Sequence, residues 1–485
     1  MARRAMSPRK SEAEPALVAP IAFVPPSNGE FCPRPPSARA ERAEALFWRS
    51  VEDKRQRLGV SRRAFVESAC GMATALWAIN QAACGSGDGS GPGYAVDDGM
   101  LEDQDRARTV LSGNEFIFDV QTHVSDPLTP FEEPDPPARA LDFIKQIFVQ
   151  SDTTVACVSG VPAARNLGAG NVQARTLLSQ IIERVGGSRL VLHANTDPER
   201  GPSELDYMAA IAADYPVAAW KVYPHAGSLL LDSEELGGPF VERARSLGVN
   251  VIAAHRGISN GGGYMSPGSP RDVVFAAKAA PEVRFLIYHS GWESTSDENH
   301  AYDPDAPEVS GVDRLIRALI ESGLGPQDNV YAELGSTWFN LLGEPEQAAH
   351  VLGKLLSYLG PERVVWGTDC VFNGVPQGQI AALRSFQIPE RYQVEFGYPA
   401  LTPEIRARIF GLNGAQVYGI DPSEIRYAIT DDDVERLRLA RVDDPSSVPL
   451  PDPRRYEGPR SRAEFLRLAL REKEEHALIR ASIRS

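Results

Sequence analysis

The chain contains an apolar stretch, FIFDVQTH at residues 116–123, that ends abruptly in three polar residues. Its phenylalanine, isoleucine and valine residues favour an extended strand. Side chains two positions apart on a strand share a face, so Gln121 and His123 would point the same way. Such an ending suits a metal site, whereas one hydrogen-bonded histidine at a strand end is the simpler interpretation. The choice depends on whether other strands end in a similar way.

From Glu115 onward, short apolar runs alternate with amphipathic segments. The predicted strands are Phe116–Val120, Thr154–Val158, Leu190–His193, Ala218–Val222, Val249–Ala254, Val283–Tyr288, Asn329–Glu333 and Arg363–Gly367. Strand followed by helix, repeated about eight times over roughly 250 to 300 residues, predicts a (β/α)8 TIM barrel of the α/β class. The competing fold, an open doubly wound sheet, would place a glycine-rich phosphate turn after the first strand. No such turn is present there.

Polar residues recur where these predicted strands end. Active sites of TIM barrels lie at the carboxyl ends of the strands, so residues at these ends are the candidates for chemistry. Lys221 ends the fourth strand, His255 the fifth, His289 the sixth and Asp369 the eighth. The joint placement of these residues with His123 favours a metal site. His193, at the end of the third strand, is predicted to make a structural hydrogen bond instead.

Composition excludes several classes of partner. The formal net charge of −15 repels phosphate backbones and anionic lipid, so we expect no binding to nucleic acid or to a membrane surface. The expected partner is a small-molecule substrate. The five cysteines have no CxxC spacing, which argues against a disulfide framework and against a cysteine-based zinc site. No apolar run reaches the roughly 18 to 20 residues of a membrane-spanning helix.

The chain before the barrel divides into two predicted parts. Residues 1–60 are expected to form a disordered, charged extension with a helix over Ala38–Arg57. Residues 61–93 are typical of a twin-arginine export signal: SRRAF at 61–65, a weakly apolar stretch over Ala69–Ala83, and a glycine- and serine-rich linker. This pattern predicts passage through the twin-arginine export machinery to the periplasm. The alternative is a cytoplasmic protein in which a charged helix runs into a buried one.

The barrel domain is predicted to span residues 94–422, and a helical tail residues 423–485. The end of the tail, Ser461–Arg484, has leucines spaced among many charges, which indicates an amphipathic helix. Such a helix would pack on the barrel or on a second subunit, so a homodimer is one expectation.

Taken together, these motifs resemble the amidohydrolase superfamily, in particular its amidohydrolase-related branch, which includes aminocarboxymuconate-semialdehyde decarboxylase. The resemblance covers about Glu115 to Ile420. It is carried by FDVQTH at 118–123, the Lys221 strand, His255, HSG at 289–291, WGTD at 366–369, and the closing segment IFGLNGAQVYG at 409–419.

The resemblance implies that His123, His255 and Asp369 bind one divalent metal, with His289 as the acid/base or orienting residue beside it. The first strand of the family usually carries two histidines separated by one residue, and here the first of these positions is Gln121. An amide oxygen is a weaker zinc ligand than imidazole. Zinc is the expected ion, with manganese or magnesium as alternatives.

Two cationic residues have alternative roles. Lys221 is expected to remain a free catalytic cation beside the substrate; in binuclear members of the superfamily a carbamylated lysine at this strand bridges two metals. Arg256, next to His255, could hold a substrate carboxylate by a bidentate pair. The alternative for Arg256 is an ordinary salt bridge.

Three functions follow from these residues. The first is a metal-dependent hydrolase that activates water. The second is a metal-dependent, non-oxidative decarboxylase of an aromatic or unsaturated acid. The third is a non-catalytic barrel whose metal site is weakened by Gln121.

Overall fold

The computed structural model describes residues 17–83, 93–124, 136–160, 179–185, 187–224, 229–259, 263–443, 458–467 and 470. Eight strands form one sheet. They are β1 (Phe118–His123), β2 (Val155–Ser159), β3 (Leu190–Asn195), β4 (Val217–Val222), β5 (Val251–His255), β6 (Arg284–Tyr288), β7 (Val330–Glu333) and β8 (Val364–Val365). Each lies within a few residues of a predicted strand.

The eight strands are parallel and each pairs with its neighbours in chain order. The sheet closes on itself because the Val120 amide donates to the Trp366 carbonyl at 3.0 Å and the Asp369 amide donates to the Gln121 carbonyl at 2.9 Å. This closure confirms the predicted (β/α)8 TIM barrel. It also places the end of β1 directly beside the residues that follow β8.

Helices alternate with the strands and cover the outside of the barrel. Those after β1 and β3–β8 include Pro136–Ile144, Pro202–Asp214, Gly237–Ser246, Arg271–Ala279, Asp313–Ser322, Pro345–Tyr358 and Gln377–Ser385. The tail adds Pro422–Ile429 and Asp433–Asp443, whereas most of the predicted helix over 461–484 lies outside the described residues. Among the described helices, none combines the length and apolar character needed to cross a membrane.

The amino-terminal end of the barrel is closed by the helix Asn413–Tyr418. Ala415 and Val417 of this helix join the apolar cluster inside the barrel. The Asn413 side chain donates to the carbonyls of Pro361 and Val364, both at 2.7 Å, and so satisfies the backbone where β8 begins. A Cβ at position 411 would lie 2.0 Å from the Phe116 carbonyl oxygen, so this close approach requires glycine.

The extension is folded where the structure describes it: Ile21, Phe23 and Phe31 are buried, so the disorder predicted for the opening of the chain is wrong for residues 17–37. Helix α1 (Ala38–Leu58) confirms the predicted helix; the Ser37 side chain caps its start and Gly59, at φ 67°, ends it. Phe47 and Val51 on α1 are fully buried in the main hydrophobic core. The high charge of this region lies on the exposed face of an amphipathic helix, which composition alone cannot distinguish from disorder.

The segment with the twin-arginine pattern is also part of the fold. Arg62 begins a short helix, α2 (Arg62–Val66), which the Ser61 side chain caps. The apolar stretch forms helix α3 (Ala69–Ala83), which lies largely within the core. The Asn80 amide on α3 accepts from the Tyr94 backbone nitrogen at 2.9 Å and donates to the Tyr94 carbonyl at 2.7 Å. Burial therefore accounts for the apolar stretch, and export stays a prediction.

Truncation of a buried residue on α1 should destabilise the whole domain. We expect Val51→Ala to lower the free energy of unfolding by about 2 kcal/mol, because two buried methyl groups leave the core. Val60→Ala, the same change at a 38% exposed position just after α1, should change it by less than about 0.5 kcal/mol. Urea unfolding of both variants checks this. Equal stability of the two variants would mean that α1 does not belong to the cooperative core.

Candidate metal centre

The carboxyl ends of β1 and β8 bring three predicted ligands together. Asp369 is fully buried, and its Oδ1 accepts from Gln121 Nε2 at 3.0 Å. The same oxygen lies 3.1 Å from His123 Nε2. Burial alone would raise the pKa of Asp369, but the hydrogen bond from His123 and the charges of His123 and His289 hold it below its ordinary value of 3.8. Asp369 is therefore an ionised carboxylate at neutral pH.

The geometry of His123 fits a cation at this position. Its Nδ1 lies 3.1 Å from the Ser159 carbonyl oxygen, which can only accept, so Nδ1 carries the hydrogen. Its Nε2 then faces the carboxylate oxygen Oδ1 of Asp369. At 3.1 Å, these two atoms need either a proton on Nε2 or a metal ion between them. The amide oxygen of the neighbouring Gln121 is buried and has no hydrogen-bond partner among the described residues.

His289 and His255 form the opposite side of the site. His289 Nδ1 lies 2.7 Å from the Gly335 carbonyl oxygen and must donate to it, which leaves Nε2 as the free lone pair of the neutral ring. Nε2 of His289 is 3.3 Å from Nδ1 of His255. Burial, together with the charge of Lys221, lowers the pKa of His289 to about 4. His289 is therefore neutral at pH 7 and can act as a ligand or a base.

The backbone is strained at the residues that surround Asp369. His289, Ser336 and Asp369 have positive φ angles of 67°, 52° and 60°. Such conformations cost on the order of 1 to 3 kcal/mol each in a non-glycine residue and cluster at functional sites. Here they aim side chains inward, since the Ser336 hydroxyl donates to Asp369 Oδ2 and the Asn373 amide donates to that hydroxyl at 2.9 Å.

Lys221, at the end of β4, is fully buried. Its ammonium nitrogen lies 3.2 Å from the ring centroid of Tyr288 and has no hydrogen-bond partner within the described part of the chain. Burial lowers the pKa of Lys221 to about 7, although the charges of Glu333, Glu30 and Asp369 act to raise it. A buried cation of this kind is poised to pair with an anionic group of a ligand.

Glu333 is a buried carboxylate that the sequence reasoning missed. It is the last residue of β7, and its Oε2 accepts from the His289 backbone nitrogen at 3.0 Å. Its other oxygen accepts from the Gly335 nitrogen at 2.5 Å, so Glu333 shapes the turn that positions His289. Burial and the charge of Asp369 raise the pKa of Glu333 to about 8. The rule of polar residues at strand ends would have found it.

The set of residues whose ligand atoms could hold a metal ion differs in part from the predicted set of ligands. One ligand atom each from Glu30, His289 and Asp369 lie within 4.8 Å of one another. His123 joins this group through its contact with Asp369, and His255 joins through His289. Imidazole nitrogens and carboxylate oxygens are the ordinary ligands of zinc, and carboxylates also suit manganese. The residues present therefore fit a divalent ion, and Glu30 comes from the extension that was predicted to be disordered.

Of the two roles predicted for Arg256, the structure shows a salt bridge rather than a free carboxylate clamp, and this salt bridge is buried instead of lying at the surface. Arg256 is buried and forms an ion pair with Asp272 on the helix Arg271–Ala279. It also donates to the carbonyls of Pro267 and Leu229. The guanidinium group of Arg256 therefore fixes the loop after β5 through these contacts. It does not form the predicted carboxylate clamp.

His193 makes the structural hydrogen bonds predicted for it. Its Nε2 lies 2.6 Å from the Tyr418 hydroxyl, and its Nδ1 lies 2.9 Å from the Ser159 hydroxyl. Burial lowers the pKa of His193 to about 3. A neutral His193 thus ties β3 to the helix that closes the bottom of the barrel.

The fold and this site define a parallel (β/α)8 barrel with a candidate metal centre at the carboxyl ends of its strands. A family model described as amidohydrolase matches residues 119–420, about three-fifths of the chain, and the protein belongs to that family. The sequence has no match among curated proteins.

Solved structures with a similar fold include two bacterial enzymes. The 2,6-dihydroxybenzoate decarboxylase from Rhizobium is 11% identical, with a TM-score of 0.39, and the match covers 63% of this chain and 98% of that one. An amidohydrolase from Burkholderia multivorans with bound zinc is 15% identical, with a TM-score of 0.38, covering 63% of this chain and 100% of that one.

Proposed function

We propose that the protein is a metal-dependent hydrolase that cleaves an amide, ester or lactone bond in a small organic substrate. The observation that carries this proposal is the approach of His123 Nε2 to Asp369 Oδ1 at 3.1 Å, beside the ligand atoms of His289 and Glu30. Membership of the amidohydrolase family supports it. When bound there, a divalent ion would lower the pKa of a water molecule toward neutrality and polarise the substrate carbonyl.

The residues of the site have separate roles in metal binding, proton transfer and substrate binding. His123, His255 and Asp369 would hold the ion, with the Gln121 amide oxygen beside them. The ionised Asp369 accepts a proton from the attacking water and returns it to the leaving group as the carbon–nitrogen or carbon–oxygen bond breaks. The neutral His289, fixed by Gly335, offers its Nε2 lone pair to the same water. Lys221 is placed to pair with an anionic group of the substrate.

Decarboxylation is the second candidate, and the buried Lys221 is the observation that favours it. Its ammonium group lacks a hydrogen-bond partner among the described residues, so it could form an ion pair with a substrate carboxylate. In that reaction the carbon–carbon bond to the carboxylate breaks, carbon dioxide leaves, and the substrate carbon takes a proton from water, either directly or after transfer through Asp369.

A screen of the full chain against amides, esters, lactones and aromatic acids tests the proposal. We expect release of an acid from an ester, amide or lactone, loss of that activity on treatment with a chelator, and its recovery with zinc or manganese. His123→Ala should be inactive on the same substrate, whereas His300→Ala, a change at an exposed histidine, should keep parent activity. Carbon dioxide from an aromatic acid, with no hydrolysis, would replace the first candidate by the second. Chelator-resistant hydrolysis would contradict both.

A further inference from the structure

The segment Ser27–Arg34 lies at the mouth of the barrel although it precedes β1 by more than eighty residues. Phe31 is buried, and the Ser27 amide donates to the Pro459 carbonyl at 2.9 Å. Arg34 donates to the carbonyls of Ser294 and Ser296, in the loop after β6. The segment is therefore anchored at both ends to other parts of the folded chain.

Between these anchors, a tight turn directs two polar side chains at Asp369. The Asn28 amide oxygen accepts from the Glu30 backbone nitrogen at 3.0 Å, and the intervening Gly29 has φ 96°. The Asn28 amide nitrogen donates to Glu30 Oε2 at 2.9 Å and to Asp369 Oδ2 at 3.3 Å. Asn28 thus bridges two carboxylates, one from the extension and one from the end of the barrel sheet.

Two carboxyl groups this close, in a site largely removed from water, need a proton or a metal ion between them. The Glu30 and Asp369 oxygens and the His289 nitrogen lie within 4.8 Å of one another. Donor atoms on opposite sides of one ion are separated by about 4.4 Å, twice a bond length of about 2.2 Å. A shift of a few tenths of an ångström would therefore let the Glu30 and Asp369 oxygens reach a single ion, with the His289 nitrogen beside it.

The first strand of this barrel lacks an ionisable ligand at position 121, where the family pattern has a histidine. Gln121 is neutral, and its amide nitrogen donates to Asp369. Glu30 lies outside residues 119–420, the part matched by the family model, and places a carboxyl group on the Oδ2 side of Asp369.

We propose that Glu30 is a ligand of the metal ion and replaces the ligand lost at position 121. The inference rests on the proposed function, since it needs a metal ion at Asp369. The extension is then part of the active site, and a barrel without it would be short of a ligand.

The test is the metal affinity of the full chain and of Glu30→Gln, measured by competition with a chromophoric chelator for zinc and for manganese. We expect the dissociation constant to rise at least tenfold and up to about a hundredfold in the variant. Glu44→Gln, the same change on the exposed face of α1, should leave it unchanged. Activity is not needed for this measurement.

Thermal unfolding separates a ligand from a structural residue. Without metal, Glu30→Gln should be at least as stable as the parent, because it removes one of two neighbouring carboxylates while Asn28 keeps a partner. With saturating metal, the melting temperature of the parent should rise more than that of the variant. A loss of stability in the metal-free variant would assign Glu30 a structural role and overturn the proposal.

A second substitution tests the replacement itself. Adding Gln121→His to Glu30→Gln should recover part of the lost affinity, and no recovery would overturn the claim that Glu30 substitutes for position 121. Equal affinity of the parent and Glu30→Gln would overturn the ligand role while the proposed function stood. A parent that binds neither ion would defeat the proposed function as well.

Discussion

Replacing Asp369 by asparagine should lower kcat/KM by about 10²- to 10⁴-fold, the range ordinarily lost with a general acid or base. Asparagine has the same shape but neither a negative charge nor a second acceptor oxygen. In the parent, Oδ1 of Asp369 faces Gln121 and His123, and Oδ2 accepts from Asn28 and Ser336. An amide nitrogen in either position would face hydrogen-bond donors and leave His123 without its anionic partner.

The size of this loss should not depend on pH between about 5 and 8. The pKa of Asp369 lies below its ordinary value of 3.8, so the carboxylate stays ionised across that range and is protonated only in stronger acid. Rates of parent and variant on a substrate found in the screen, measured at several pH values, check both expectations.

Asp206→Asn provides the matched control for this measurement. Asp206 lies on the exposed face of the helix Pro202–Asp214, and its replacement should leave kcat/KM unchanged. If Asp369→Asn retained more than about a tenth of parent activity, Asp369 could not be the proton acceptor that the mechanism assigns to it.

Lys354→Met should lower the free energy of unfolding by about 3 to 5 kcal/mol, the usual cost of removing one partner from a buried ion pair. Lys354 is fully buried on the helix Pro345–Tyr358. Its ammonium group contacts Glu298 at 2.8 Å and Asp313 at 2.6 Å. Methionine would fill the space but leave two buried carboxylates without their shared cation.

The same contact holds the loop between β6 and the helix Asp313–Ser322. This loop supplies the carbonyls that bind Arg34, so the Lys354 pair also supports the segment that carries Glu30. Burial alone would lower the pKa of Lys354, but the charges of Glu298 and Asp313 hold it above the ordinary 10.5. The stabilisation is therefore complete below about pH 10.5 and is lost only as the pH rises through the folded-state pKa.

Lys54→Met is the comparison for a surface pair. Lys54 contacts Glu102 at 2.5 Å near the surface, and such pairs contribute about 1 kcal/mol or less. Denaturant unfolding should give the same difference in the free energy of unfolding between the parent and Lys354→Met at pH 7 and at pH 9. If Lys354→Met lowered the free energy of unfolding no more than Lys54→Met does, the carboxylates of Glu298 and Asp313 would have to form other contacts when Lys354 is removed.

Local sequence patterns determined the barrel and most of its site. Alternating strands and amphipathic segments predicted eight parallel strands, because each strand buried on both sides must be apolar along its length. Polar residues that interrupt such strands at their ends, such as His123, His255 and His289, must then lie at one end of the barrel. The same rule applies to Glu333, which ends β7 in the same way and was missed.

Only the tertiary structure decided what meets at this end. Arg256 looked like a substrate clamp beside His255, yet its partner Asp272 lies sixteen positions further along and faces it only after the helix packs. Glu30 and Asp369 are 339 positions apart, and no local pattern marks the extension as part of the site. The apolar run of α3 fits an export signal or a buried helix equally well, and only the tertiary structure shows that this helix lies in the core. The periodicity of apolar residues indicates which face of a helix or strand is buried. Contacts between distant segments depend on the shape of the whole core.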